Sequence, residues 1–336
     1  MKLLKKAYYT ACSLLPSSIV KKISPVKTLL PYHHLVSDQD LLHIKHLYTY
    51  KSSTQFRNDL DYLLKNFHPV SADELSKAIN TGEETPSNSF LLTFDDGFKE
   101  VYDVISPILL EKGIPAVFFV NPAFIDNKEL FYRCKISLVI EELSNRKDAL
   151  QIGNDLFKKQ YSYLKELKRD LKKVNQLNKH ILDEFAKELN YSFDGYLNKQ
   201  KPFLTTVQLK DLSQKGFVIG AHSWDHPYYE LLTVEEQLQQ TLSSLQFVKE
   251  TVGNGHSYFS FPHTDTVVSQ QFLDKLKKDN IELLFGIQNQ KTENQNKMLH
   301  RFNAERPDIP IKSAVNGVLI YCTIQKALGR YEIHRL

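Results

Sequence analysis

Two short stretches carry the residue types best suited to chemistry. Leu91-Leu92-Thr93-Phe94-Asp95-Asp96-Gly97 ends an apolar, strand-like run in two adjacent carboxylates and a glycine, and His222-Ser223-Trp224-Asp225-His226-Pro227 follows much later. Consecutive side chains of an extended chain point to opposite faces, so Asp95 and Asp96 should diverge, and Gly97 permits a sharp turn beyond them. One acid can then bind a cation while the other faces a substrate or water. Taken alone, Asp-Asp-Gly is also ordinary turn composition, and a single histidine is more often structural. Position adds weight, because the carboxyl ends of buried parallel strands are where α/β barrels and open sheets place their active sites. His222 and His226 follow the apolar run 217–221 in the same way. Their spacing can bring two imidazoles to one cation, although Pro227 disfavours α geometry at His226 and puts the pair on a loop. Together with Asp96 they make a three-ligand set that leaves positions open for water and substrate, as catalytic zinc sites do. The expected ion is Zn²⁺, with Co²⁺, Ni²⁺ or Mn²⁺ as alternatives.

The elements that must position these residues alternate between short apolar runs and helical patterns. Residues 28–32 read as a strand leading into Tyr32-His33-His34, 53–67 as a helix, and 90–94 as the strand carrying the aspartates. Residues 101–112 read as a helix kinked at Pro107 and ended by Gly113, and 116–120 as the next strand. Ser71 with Glu74, Thr205 with Gln208 and Thr233 with Glu236 have the spacing of capping boxes that open helices. Further strands are expected at 217–222, 257–261 and 281–287. Such alternation predicts βαβ units and a parallel sheet. Between 128 and 201 the rhythm changes to a lysine-rich, helix-favouring stretch that reads as a helical insertion.

Composition narrows the function classes. With 336 residues, 42% of them hydrophobic, the chain can build a sizeable core, and a net charge of +4 without a basic stripe argues against nucleic-acid binding. Cys12, Cys134 and Cys322 are odd in number and widely spaced, which suits neither a disulfide framework nor a thiolate zinc cluster. Residues 1–27 form an N-terminal amphipathic segment in which Leu3, Leu4, Ala7, Tyr8, Ala11, Leu14 and Leu15 recur at helical spacing beside Lys2, Lys5, Lys6, Lys21 and Lys22. Its apolar part is too interrupted for a secretory leader and falls short of the ~20 apolar residues of a membrane span. A cytoplasmic protein is expected, either with this segment lying peripherally on the inner face of an anionic membrane or with the segment packed as a helix on the main domain.

Thr93-Phe94-Asp95-Asp96-Gly97 and His222-Ser223-Trp224-Asp225-His226-Pro227 resemble, in order and in strand-end setting, the first two motifs of the polysaccharide deacetylase family, carbohydrate esterase family 4. The resemblance spans residues 29–125 and 205–305 and leaves the insertion outside it. It implies an α/β fold, a distorted (β/α) barrel of seven strands over 28–336 interrupted by the insertion 128–201. The implied activity is a metal-dependent hydrolase that removes N-acetyl groups from the sugar units of a polysaccharide, or of its lipid- or nucleotide-linked precursor, in cell-surface polysaccharide biosynthesis. By position, Asp95 would be the general base and Asp96, His222 and His226 the metal ligands. The third family motif would fall at Phe259-Ser260-Phe261-Pro262-His263-Thr264-Asp265, with Ser260 in the place of an arginine that would pair with Asp95 and with the His263 N–H as an oxyanion donor. The last motif, Leu-x-His, has its nearest counterpart in Met298-Leu299-His300-Arg301. His300 could be the general acid, or His263 could, or water; Arg301 could replace the missing arginine. His33 or His34, together with His46, would face the barrel mouth, and Trp224, Tyr228, Tyr229 and Phe261 suit stacking on a sugar ring. Two rival readings are a barrel that keeps its metal and binds carbohydrate with little catalysis, and a glycosidase. The second fits poorly, since that chemistry wants carboxyl groups facing each other ~5–9.5 Å apart.

Overall fold

Short apolar runs become the strands of a barrel. The protein is described by a computed structural model that covers residues 2–253, 256–293 and 297–335; the side chains of residues 2–6, including Lys2, Leu3, Leu4, Lys5 and Lys6 of the amphipathic pattern, lie outside the described residues. Pro31–His33, Leu92–Phe94, Ala116–Val120, Val218–Ala221, Tyr258–Ser260 and Leu283–Gly286 pair in parallel in that order. Leu92–Phe94, Ala116–Val120 and Leu283–Gly286 are buried at every residue, as strands covered on both faces must be. Met298–His300 continues the sheet beside Leu283–Gly286, and Phe302–Asn303 pairs with Pro31–His33 at its other end. Only Arg301 separates these two segments. Its N–H donates to the Gly286 carbonyl at 2.9 Å, and the Phe302 N–H donates to the Leu30 carbonyl at 3.0 Å. One strand, bent at Arg301, therefore joins both edges and closes a barrel of seven parallel strands among the described residues, the expected number. The expected strand 28–32 divides: Thr28–Leu29 joins a small parallel sheet with Ser89–Phe90 and His68–Pro69, while Pro31–His33 enters the barrel.

Helices cover the barrel, and the three capping boxes form at Ser71, Thr205 and Thr233 as their spacing predicts. A fourth, Ser52 with Gln55, opens the helix Ser53–Asn66. The expected kink at Pro107 takes another form. Residues Val101–Ile105 make a wide π turn that runs straight into the α-helix Ser106–Lys112, so the helix widens ahead of Pro107, and the Ser106 hydroxyl donates to the Tyr102 carbonyl at 3.1 Å.

The stretch 128–201 folds into five α-helices among the described residues: Tyr132–Ser144, Ala149–Phe157, Leu164–Leu171, Ile181–Glu188 and Phe193–Gln200. Ile136, Leu143, Leu167, Leu182 and Phe185 form their shared core, and Leu35, Ile44, Phe98 and Phe203 extend it onto the loops that follow barrel strands. The insertion thus covers the carboxyl ends of the strands. At the N-terminus, helices Lys2–Leu14 and Ser17–Ile23 pack on Ile311–Ala327. There the Tyr8 hydroxyl donates to the Gly317 carbonyl at 2.7 Å, and Asn316 Nδ2 donates to the Cys12 and Leu15 carbonyls, each at 3.0 Å. Gly317 is required, because a Cβ there would lie 2.7 Å from the Tyr9 ring. Leu14, Leu15, Ile19 and Ile23 nevertheless stay exposed. Among the described residues no helix is long and apolar enough to cross a membrane.

Leu167 is fully buried between insertion helices. Leu167→Ala should lower unfolding free energy by about 2–5 kcal/mol in a urea titration; a loss below about 1 kcal/mol would mean that the insertion has no tightly packed core of its own.

Candidate active site

The strand Leu92–Phe94 keeps its register through Asp95, whose N–H donates to the His33 carbonyl at 2.9 Å. The backbone then turns: Asp96 (φ 74°) and Gly97 (φ 64°) are both left-handed. A Cβ on Gly97 would come within 3.1 Å of Val120 Cγ1, so the turn needs glycine for space as well as conformation. The two carboxylates part as strand alternation requires, Asp96 toward the histidines and Asp95 toward Arg301.

Asp96 Oδ1 lies 3.5 Å from His222 Nε2 and 3.3 Å from His226 Nε2, and ligand atoms of the three residues are all within 4.8 Å of one another. His222 Nδ1–H donates to the Ser260 carbonyl at 2.8 Å, which leaves the Nε2 lone pair toward Asp96. Burial pushes the His222 pKa down to about 4, so the ring is neutral and able to act as a ligand. Burial works in the other direction on Asp96, but His226 and its neighbours hold that carboxyl well below the usual carboxylate range. Asn121, fully buried just after the strand Ala116–Val120, donates to the His222 carbonyl and, at 3.2 Å, to the Ser223 carbonyl. Ser223 Oγ accepts from the His226 N–H at 3.2 Å. These bonds hold Ser223 (φ 65°) and His226 (φ 60°) in conformations that cost on the order of 1–3 kcal/mol each. Asp96 Oδ1 is buried without a hydrogen-bond partner among the described residues. A carboxylate oxygen facing two imidazole nitrogens with nothing to share between them is the donor set a divalent cation satisfies, and two nitrogens with one oxygen suit zinc.

Asp95 is gripped by Arg301, which is fully buried: Nη1 and Nη2 reach its two oxygens at 2.7 and 2.8 Å. The remaining guanidinium hydrogens go to Thr93 Oγ1 at 3.0 Å, Ser260 Oγ at 2.6 Å and the Gly286 carbonyl at 3.4 Å. Burial alone would raise the Asp95 pKa; the guanidinium reverses this and holds it below its ordinary value. Ser260, in the expected arginine position, accepts from an arginine that arrives from the closing strand instead.

A cavity of about 210 Å³ opens beside these groups, lined among others by His34, Tyr48, Phe131, Arg133, Phe261 and His263. His34 faces it and His33 does not. The His33 ring stacks on Phe94 inside the barrel wall, because adjacent strand residues take opposite faces. His34 Nδ1 lies 2.8 Å from Glu305 Oε2, and the His34 and Leu35 N–H groups both donate to Oε1 at 3.0 Å. Burial opposes the charge on His34, but Glu305 overcomes it and lifts the pKa to about 9. His46 pairs with Glu141 on the insertion and takes no part.

The expectation of His300 as the general acid needs correcting. It neighbours Arg301 on the strand, so alternation turns it the other way, fully buried against Glu293 at 2.9 Å and Asp265 at 3.6 Å and outside the cavity lining. Arg335 binds both of those carboxylates, which makes the group an ion network. His263 does line the cavity (φ 56°), stacked on Tyr228 with ring centroids 3.7 Å apart. Burial, then His226, pushes its pKa far down, so its ring is neutral and unsuited to give a proton. Tyr228 backs His263 and does not line the cavity, and Tyr229 bonds Thr241 within the core. Trp224 is 40% exposed and packs edge-on to Phe247, away from the cavity; of the expected stacking residues only Phe261 lines it. Glu305, Asn121, Tyr48 and Arg133 were not singled out from the sequence, and no local pattern marks them: Glu305 meets His34 across 271 residues of chain.

The profile of the family described as Polysaccharide deacetylase matches residues 82–284. No curated protein matches the chain at a significant level. Several solved structures match the chain, two of them with TM-scores above 0.5 as follows. The deacetylase PplD of Streptococcus pyogenes, solved in complex with acetate, is 14% identical with a TM-score of 0.56, over 88% of this chain and 99% of that one. IcaB from Ammonifex degensii is 18% identical with a TM-score of 0.55, over 88% of this chain and 98% of that one.

Asp96→Ala should strip most of the metal that co-purifies with the wild-type protein, while Phe261→Leu retains it, as elemental analysis of dialysed samples will show. Equal metal in both variants would rule out Asp96 as a ligand.

Proposed function

Since the chain belongs to the polysaccharide deacetylase family, we propose that this site hydrolyses the acetamide of an N-acetylated sugar unit, with Asp95 as base and His34 as acid. The observation that carries the proposal is the pairing of charges around one cavity. Arg301 keeps Asp95 ionised and Glu305 keeps His34 protonated, so base and acid are ready at the same neutral pH.

A divalent ion held by Asp96, His222 and His226, with Zn²⁺ the first choice, would supply Lewis acidity to the acetamide carbonyl and to water. Asp95 accepts the proton of the attacking water, and the bidentate grip of Arg301 fixes the direction in which its oxygens point. The His263 main-chain N–H, which makes no hydrogen bond among the described residues, is available to the oxyanion; donors of this kind are worth ~3–4 kcal/mol. His34 delivers a proton to the departing nitrogen, and Glu305 restrains the ring that delivers it. The rival readings lose their motives. The serine in the third motif is answered by Arg301, and two adjacent acids turned to different partners cannot face each other across a glycosidic bond.

Exposed Leu14, Leu15, Ile19 and Ile23, with Lys22 among them, support a peripheral contact of the N-terminal helices with an anionic membrane. We place the protein at the inner face of the membrane, acting on a polysaccharide or on its lipid- or nucleotide-linked precursor.

The direct test is acetate release from N-acetylhexosamine substrates with and without chelator. Asp95→Asn should abolish turnover while metal content holds, and substantial residual deacetylation would refute its role as base. In the wild-type protein the alkaline limb of the rate profile should fall near pH 9, where His34 loses its proton. Glu305→Gln removes the carboxylate that raises that pKa, so the limb should move to lower pH; an unmoved limb would exclude His34. Leu14→Ser with Ile19→Ser should reduce co-sedimentation with anionic vesicles but not with neutral ones.

A further inference from the structure

Asp95, Glu305 and Asp96 each have their own cationic or imidazole partner: Asp95 has Arg301, Glu305 has His34, and Asp96 has two histidines. Arg133 is left over. It stands in the first turn of the helix Tyr132–Ser144, which has no acidic residue in that turn, and it lines the cavity from the insertion side. Among the described residues it makes no ion pair. Its guanidinium has only two long contacts, from Nη1 to the Lys172 carbonyl at 3.4 Å and to the Tyr228 hydroxyl at 3.5 Å, out of five possible donors. Arg301 and Arg335, whose side chains are buried, each grip carboxylates closely, whereas the half-buried Arg133 grips none. A second group in the same cavity is also unsatisfied: the Tyr48 hydroxyl is buried without a hydrogen-bond partner among the described residues. The walls beside them, Ile44, Leu47, Phe98, Phe131 and Ile287, are apolar, which strengthens any charge interaction between them.

The hydroxyls of a neutral sugar could bond the phenol and the guanidinium but would leave the charge of Arg133 unmatched. The deficit is one negative charge with several acceptor oxygens, the shape a planar guanidinium fork matches in phosphate or carboxylate. We propose that the natural substrate carries an anionic oxygen group next to the N-acetylated sugar, received by Arg133 with the Tyr48 hydroxyl. This rests on the deacetylase reading and narrows it to N-acetyl sugars that bear a phosphoryl or carboxylate substituent. The insertion then serves substrate choice by bringing Arg133 to the cavity.

The test uses the full chain and three probes: the methyl glycoside of N-acetylglucosamine, N-acetylglucosamine 1-phosphate and an N-acetylated hexosaminuronate. Binding to metal-free protein is measured by calorimetry, so that no turnover intervenes. At least one anionic probe should bind about 10–100-fold tighter than the neutral one, and which of them leads tells phosphoryl from carboxylate. Arg133→Ala should bring the ratio near one, Arg133→Lys should recover part of it, and added salt should shrink it. Equal affinity for neutral and anionic probes, or a preference that survives Arg133→Ala, would overturn the proposal. Acetate release by the metal-loaded protein separates it from the reading beneath it. Cleavage of all three probes at equal kcat/KM removes the anionic subsite and leaves the deacetylase, whereas anion-selective binding with no metal-dependent acetate release leaves the subsite and removes the deacetylase.

Discussion

The ion pair between Asp95 and Arg301 is the interaction on which both barrel and site depend. A fully buried arginine is costly unless its charge and all of its donors are met. Here they are met by Asp95 and Thr93, by Ser260 and by the Gly286 carbonyl, groups from three other strands. Arg301 is also the residue at which the last strand bends from one edge of the sheet to the other. Barrel closure and the orientation of Asp95 thus run through the same residue.

Around that pair the site is built from main-chain conformations that side chains rarely choose. Asp96, Ser223, His226 and His263 all have left-handed φ values, and all belong to loops at the carboxyl ends of strands. Asn121 and Ser223 supply hydrogen bonds that such turns would otherwise lack. Strain gathered at these residues surrounds a carboxylate oxygen, Asp96 Oδ1, that has no hydrogen-bond partner among the described residues.

The charges are distributed so that opposite protonation states coexist within one cavity. Burial would neutralise Asp95 and His34 alike, and each keeps its charge through one dedicated partner from or beside the closing strand, Arg301 or Glu305. The histidines beside Asp96 are treated differently. Burial keeps His222 and His263 neutral, so of these three imidazoles only His34 is charged.

The sequence by itself determined the strand-end acids, the His222–His226 loop, the capping boxes, the helical insertion and six of the parallel strands, because each rests on local periodicity or on spacing within a few residues; the closing strand was not read, and the count of seven rested on the family resemblance. Alternation along a strand also told correctly that Asp95 and Asp96 would part company. It could not tell which of His33 and His34, or of His300 and Arg301, would face inward, since a period of two gives the alternation but not its phase. That phase was decided by the tertiary structure, when the bent strand carried Arg301 to Asp95 and Glu305 to His34 across more than two hundred residues of chain. The same holds for Arg133 and Tyr48, whose meaning lies in what they lack, and a missing partner can be seen only once every neighbour has been placed.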